Sequence, residues 1–280
     1  MKDESQAKSD LVSLTVSKPK VSEKDKGATR ETALLNNASE AAVAVVKKLY
    51  PKHLFDPIVA AESAARRYVE SVTAPWARGM ALLPSSLVFT FRQQMQSHKL
   101  RFDQAVTAFL NNMAAVLQEA AKQQGGLFDP SVYPDMATLK AQFSFSVSFH
   151  PIGTESDVVL ELEKESLDEL REEVAQNVRN TLVESSKAVY QRMFDAVQRI
   201  HTQCAKEDGK IYDTLTGNLD ELLVVLPELD MSGNEAFRHL CVTARQSLAI
   251  PAEAIRNVPG VRERTAAEAA RILEQMKGFL

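Results

Sequence analysis

Apolar residues recur at two different long periods in this chain, and that limits it to a fold built around long helices. From about Ser166 to Lys206 the stripe repeats every eleven residues: Leu167, Val178, Val189 and Ile200, with Leu182, Met193 and Cys204 in parallel. An eleven-residue period is about 3.67 residues per turn, which gives a nearly straight or slightly right-handed helix. From Ser85, which follows Pro84, to about Lys122, the residues Val88, Met95, Phe102, Phe109 and Val116 recur every seven. Phe91, His98 and Ala105 hold the companion position. A heptad seam of about five repeats predicts lengthwise packing against another helix, and at 1.5 Å per residue the helix is about 55 Å long. Gly125-Gly126 and Asp208-Gly209 end the two helices. Because the periods differ, the helices are expected to diverge and to leave one end open for a partner. The seam is then satisfied either within the chain or between copies, as a homo-oligomer.

Two segments alternate instead. Val12, Leu14 and Val16 oppose Ser13, Thr15 and Ser17 over Leu11–Ser17, and Phe143, Phe145, Val147 and Phe149 oppose three serines over Gln142–Phe149. Both are half-buried strand patterns. Their matching hydroxyl faces predict a small ribbon that leans on the helices, since an isolated pair is marginal in water. Pro19–Arg30 is polar and reads as a flexible loop. Thr29 is expected to cap an Ala/Val-rich helix running to Leu49 and stopped by Pro51. A further helix is predicted over Pro57–Val72, and others over Tyr212–Val225, Asn234–Leu248 and Thr265–Lys277, separated by Pro227, Pro251 and Pro259. The fold class is mainly α with a small antiparallel β-ribbon (α+β) and is not an OB-fold. Three consecutive parts are expected: an N-terminal strand and basic loop (1–30), a long-helix core (31–208) and a C-terminal helical segment (209–280).

Hydrophobic residues make up 45 % of the 280 and charged ones 25 %, which suits a globular chain with a sizeable core. No stretch reaches the roughly 18–20 apolar residues of a membrane span. The start, MKDESQAKSD, lacks the apolar run of a secretory signal. Cys204 and Cys241 have no metal-ligand spacing and read as free thiols of a cytoplasmic protein. The five histidines (His53, His98, His150, His201, His239) are dispersed, and no phosphate-loop, dinucleotide or nucleophile-elbow motif occurs. No catalytic residue, metal or cofactor is therefore expected.

The net charge of −4 hides an uneven distribution. Glu155–Glu173 holds nine acidic residues against Lys164 and Arg171, and outside it 28 acids face 31 bases. The basic residues gather in the N-terminal segment and along the long helices, where a polyanion would feel the local field. Arg92, Lys99 and Arg101 on the first long helix, and Arg179, Lys187, Arg192 and Arg199 on the second, exceed the acids beside them. Arg92 and Lys99 are seven apart, as are Arg192 and Arg199, so each pair shares a face that could follow phosphates. A solvated helix face is the plainer reading.

Two further places have nucleic-acid chemistry. Trp76 and Arg78, in Ala74-Pro75-Trp76-Ala77-Arg78-Gly79, form either a stacking platform for unpaired bases or a core plug beside an exposed arginine, the second being preferred. Ile255–Ala266 looks like the turn of a helix-hairpin-helix motif, in which a Pro-Gly turn offers backbone N–H groups to a phosphate. Arg256, Arg262 and Arg264 rim that turn, with Arg262 standing where such motifs carry a second glycine.

Several pieces together resemble a family of phage and bacterial proteins: the early strand, Leu49-Tyr50-Pro51-Lys52, the Trp76 segment with Leu82-Leu83-Pro84, and Tyr133-Pro134 leading into Phe143–Pro151. The chain is similar to the single-stranded-DNA-binding RNA polymerase cofactors of podophages that carry a giant virion RNA polymerase. The resemblance implies a protein of the infected host's cytoplasm that coats melted promoter DNA and recruits the phage RNA polymerase. The competing expectation is a helical adaptor that mediates protein assembly without nucleic acid.

Overall fold

The computed structural model describes residues 9–77, 79–152, 164–206 and 208–280. Arg78 and Glu155–Glu163, which hold four of the nine acids of the acidic window, lie outside the described residues. The protein is mainly α with a small β part. In chain order the elements are β1 (Ser9–Ser17), β2 (Ser22–Lys24), α1 (Lys26–Leu35), β3 (Val46–Lys48), α2 (Lys52–Val72), β4 (Ala74–Pro75) and β5 (Ala81–Pro84). There follow α3 (Val88–Asn111), α4 (Met113–Gln124), α5 (Met136–Ala141), β6 (Ser144–His150) and α6 (Lys164–Ala205). The chain finishes with α7 (Asp213–Leu229), α8 (Glu235–Leu248), α9 (Ala252–Asn257) and α10 (Val261–Met276).

The sheet has the order β4-β5-β1-β6, so the two expected strands are neighbours, joined by two short ones that their brevity concealed. β1 runs antiparallel to β5 with Leu11 opposite Leu82 and Val12 opposite Ala81. β2 and β3 form a separate antiparallel pair inside segments expected to be loop and helix.

Two compact units divide the chain, and they interleave along it. Unit 1 comprises Met1–Ser13, Val69–Phe89 and Ser148–Leu280; unit 2 comprises Leu14–Tyr68 and Thr90–Val147. The core of unit 1 is a bundle of α6, α7, α8 and α10. The eleven-residue stripe supplies Val189, Met193 and Ile200, all fully buried, and they meet Leu226, Phe237 and Ile272. Tyr190, Phe237 and Phe279 form an aromatic trio with ring centres 4.4–5.9 Å apart. With 42 residues α6 is about 63 Å long.

In unit 2 the heptad seam is buried at Phe91, Met95, Phe102, Phe109 and Val116. Its partners are aromatic residues of α2 and of the β6 region, and Tyr50 just before α2. Phe109 meets Tyr50 and Phe55 at 5.3 Å, and Phe102 meets Phe145 at 5.6 Å. Tyr68 lies over Phe91 at 6.0 Å. The seven-residue repeat thus builds an aromatic layer within the chain. Its helix is also interrupted: Asn112 (φ −100, ψ 16) ends α3 and begins α4. The Asn112 Nδ2 donates to the Ala108 carbonyl at 2.8 Å, the side-chain-to-backbone competition that makes asparagine a poor helix-interior residue.

The helix expected from Thr29 to Leu49 stops at Leu35 for the same reason. Asn36 Nδ2 donates to the Thr32 carbonyl at 2.8 Å, and Asn37 turns to φ 49. Asp25 is the cap, accepting from the Ala28 N–H at 2.9 Å. Thr29 is instead buried, and its Oγ1 accepts from the Val45 N–H at 3.0 Å, tying the loop before β3 to α1.

Candidate nucleic-acid interface

The charge separates by unit. The sequence of unit 2 carries 15 lysines and arginines against 10 acids, whereas that of unit 1 carries 18 against 27. Nine of the twelve residues singled out from the sequence therefore lie in the acidic unit.

The α6 cations are engaged within unit 1. Arg179 pairs with Glu172 at 2.7 Å and also donates to Gln176, and Lys187 pairs with Glu184 at 3.3 Å. Arg199 donates to its own helix's Asp195 carbonyl at 3.2 Å. Arg192 reaches off the helix to the end of α2, donating to the Thr73 carbonyl at 2.9 Å and the Ser71 carbonyl at 3.0 Å. Burial lowers the pKa of this guanidinium, and the Glu70 carboxylate opposes that shift. Arg192 is a latch between α6 and the approach to β4.

The C-terminal turn forms as expected, with Gly260 at φ 75 ahead of α10, but its basic rim does not face outward as a whole. Arg256 donates to the Ile211 carbonyl at 2.8 Å and to Asp213 at 2.9 Å. Arg262 lies across the last turn of α6, donating to the carbonyls of Gln203, Cys204, Lys206 and Gly209. Those are the oxygens a helix end leaves without partners, and the helix dipole adds to their pull on a cation. Of the three, Arg264 alone is held only by its own helix start, through the Gly260 carbonyl at 3.3 Å.

Trp76 sits in the turn joining β4 to β5, where its backbone N–H donates to the Met80 carbonyl at 3.2 Å. Its indole is partly buried against the unit 1 core, in line with the plug reading.

The outward face of α3 is different. Phe91, Met95, Phe102 and Phe109 point inward, and the opposite side presents Phe89, 79 % exposed, and Leu100, 58 % exposed. Gln93 and Gln96 lie between them at helical spacing and are exposed. Arg92 and Lys99 run along one flank and Arg101 along the other, all exposed. Lys99 shares its charge with Asp103 at 2.6 Å, one turn on. Arg101 also acts inward on His98, whose pKa is lowered by burial and then by this neighbouring charge. Phe89 escaped the sequence reading because it stands one residue after the seam position Val88; only knowledge of which side is covered reveals it. An exposed ring with a cationic flank and amide side chains offers stacking, phosphate contacts and base-edge hydrogen bonds on one helix.

No group of three or more His, Cys, Asp or Glu residues that could hold a metal ion occurs among the described residues. No helix among them is long and apolar enough to cross a membrane. Comparison with known proteins finds no matching family model, no matching curated protein and no matching solved structure.

Proposed function

We propose that the protein binds single-stranded DNA without strong sequence preference through the outward face of α3, whose cations Arg92, Lys99 and Arg101 lie in the basic unit while Phe89, one turn earlier on the same helix, is the last residue of the segment Val69–Phe89 of unit 1. The observation that carries this is the charge separation, a net excess of five bases in unit 2 beside a net excess of nine acids in unit 1. Arg92, Lys99 and Arg101 supply phosphate contacts, and the exposed Phe89 ring is the stacking surface that favours unpaired bases over duplex. Taken with the resemblance to phage polymerase cofactors, the reading extends to a transcription cofactor that holds melted promoter DNA and recruits the phage RNA polymerase. The acidic unit is then the surface offered to the polymerase.

The adaptor reading has one observation in its favour: the exposed Phe89 and Leu100 side chains suit an apolar protein partner as well as a base. A gel-shift series with single- and double-stranded oligonucleotides from 50 to 300 mM salt separates the two. DNA binding requires preferential retention of the single strand and a steep loss with salt. No shift at the lowest salt would leave the adaptor.

A further inference from the structure

Unit 2 contains a cleft that the α3 face does not involve. It has a volume of about 770 Å³ and is walled by the end of β1, the loop into β2, the Leu49-Tyr50 segment, Ser131–Pro134 and the start of β6. Its size falls within the range of small-ligand sites, but those are mostly apolar, whereas serines, lysines and a glutamine line this one.

The walls are fixed by bonds that do not depend on a ligand. Lys18 is held by Glu62, which Arg66 also contacts at 2.9 Å. Burial pushes the Glu62 carboxyl up, but hydrogen bonds from Lys18 and Arg66 outweigh it and hold its pKa below the ordinary value. The Tyr133 hydroxyl donates to the Leu49 carbonyl at 2.7 Å and accepts from Gln124 Nε2 at 2.8 Å. Its ring is set against Tyr50 and Phe128, at 5.8 and 5.7 Å.

What remains for a ligand is a specific set of groups. Lys20 is exposed and has no ion-pair partner among the described residues. Ser144 and Gln142 are exposed and line the same cleft, as does the half-buried Tyr133. Ammonium and hydroxyl donors suit phosphate and sugar oxygens, a carboxamide pairs with a base edge, and a phenol ring with a fixed tilt offers an apolar contact to a base. Glu23 also lines the cleft and disfavours a ligand with charge spread over its whole length.

We infer that this cleft binds one nucleoside phosphate unit, with the phosphate at Lys20 and the base toward Tyr133 and Gln142. The unit is either a free nucleotide or one nucleotide of a bound strand; the second source rests on the DNA-binding reading above.

The test is calorimetric titration of the full chain with thymidine, thymidine 5′-monophosphate and a fifteen-residue oligothymidylate. Wild type is compared with Lys20→Glu and with Ser144→Trp, which fills the cleft. Both positions are exposed, and unchanged circular dichroism and melting temperature confirm that the variants fold. The inference expects the monophosphate to bind at least fivefold tighter than thymidine and each variant to weaken it at least fivefold. If the monophosphate gives no heat but the oligonucleotide is weakened fivefold by both variants, the cleft takes a nucleotide of the strand. If the monophosphate binds as stated and the oligonucleotide does not, the cleft stands and the DNA-binding reading falls. An oligonucleotide bound equally by all three proteins, with no variant-sensitive monophosphate binding, overturns the cleft and leaves the DNA reading intact. No binding of any ligand overturns both.

Discussion

Arg262 Nε donates to the Cys204 carbonyl at 3.1 Å, so the first turn of α10 closes the end of α6, the longest helix among the described residues. Nη2 of the same guanidinium reaches the Gln203 carbonyl at 2.9 Å and the Gly209 carbonyl at 2.8 Å. A residue placed by its sequence at a phosphate-binding turn is therefore a helix cap.

Removing that cap leaves several carbonyls of a partly buried helix end without a charged donor. Arg262→Ala is expected to cost unit 1 about 2 kcal/mol, the scale of a lost charged hydrogen bond. Gly209→Ala is expected to cost at least as much, because a Cβ there would collide with the Gln203 carbonyl oxygen and press on Arg262. Urea unfolding followed by the fluorescence of Trp76, which belongs to unit 1, measures both. Unchanged midpoints would refute the cap.

The aromatic layer of unit 2 makes a second expectation. Phe109 is buried between Tyr50, Phe55 and Phe143, and Phe109→Ala should destabilise unit 2 by about 3–5 kcal/mol. A loss below about 1 kcal/mol by urea denaturation would mean that the seam faces something other than these rings.

Two groups contribute separable steps to the acid limb of stability. His98 has a buried Nδ1 without a hydrogen-bond partner, and burial followed by the Arg101 charge lowers its pKa. The unfolded chain then takes up the proton first, so stability falls as pH drops below about 6.5. His98→Phe should flatten the change in urea midpoint between pH 7.5 and 5.5. Glu62 contributes stability above its unfolded value, about 4.3, and loses it as pH falls through its lowered folded pKa. Glu62→Gln should reduce that lower step, which the lowered carboxyls of Asp25, Asp129, Asp135 and Asp220 share, and leave the His98 step in place. A lower step of unchanged size would assign it wholly to those other carboxylates.

Much of the fold was legible in the sequence, because period is a local signal. The eleven-residue stripe located α6 to within two residues at each end, and the serine-faced alternation located β1 and β6 as neighbours. The seven-residue seam located the buried side of α3, but period alone does not say whether that side meets a helix or a layer of aromatic rings. Asn36 and Asn112 ended helices through side-chain hydrogen bonds to the preceding turn, a signal weaker than Pro or Gly and easily overlooked. The site was read less well. Charge type and helical spacing identify a cation, yet Arg192, Arg256 and Arg262 meet backbone carbonyls that lie 45 to 121 residues away in sequence. Phe89 became visible only from its exposure.

The most direct test compares two sets of charge changes in one binding assay. Fluorescence anisotropy with a labelled oligothymidylate is measured over a salt series for Arg92→Glu/Lys99→Glu/Arg101→Glu and for Arg179→Glu/Lys187→Glu/Arg199→Glu. The first set should weaken binding at least tenfold and reduce the slope of log K against log salt by about 2, as expected for three lost phosphate contacts on a single strand. The second set should change affinity less than threefold. Equal losses, or a larger loss from the α6 set, would contradict the assignment of DNA binding to the outward face of α3.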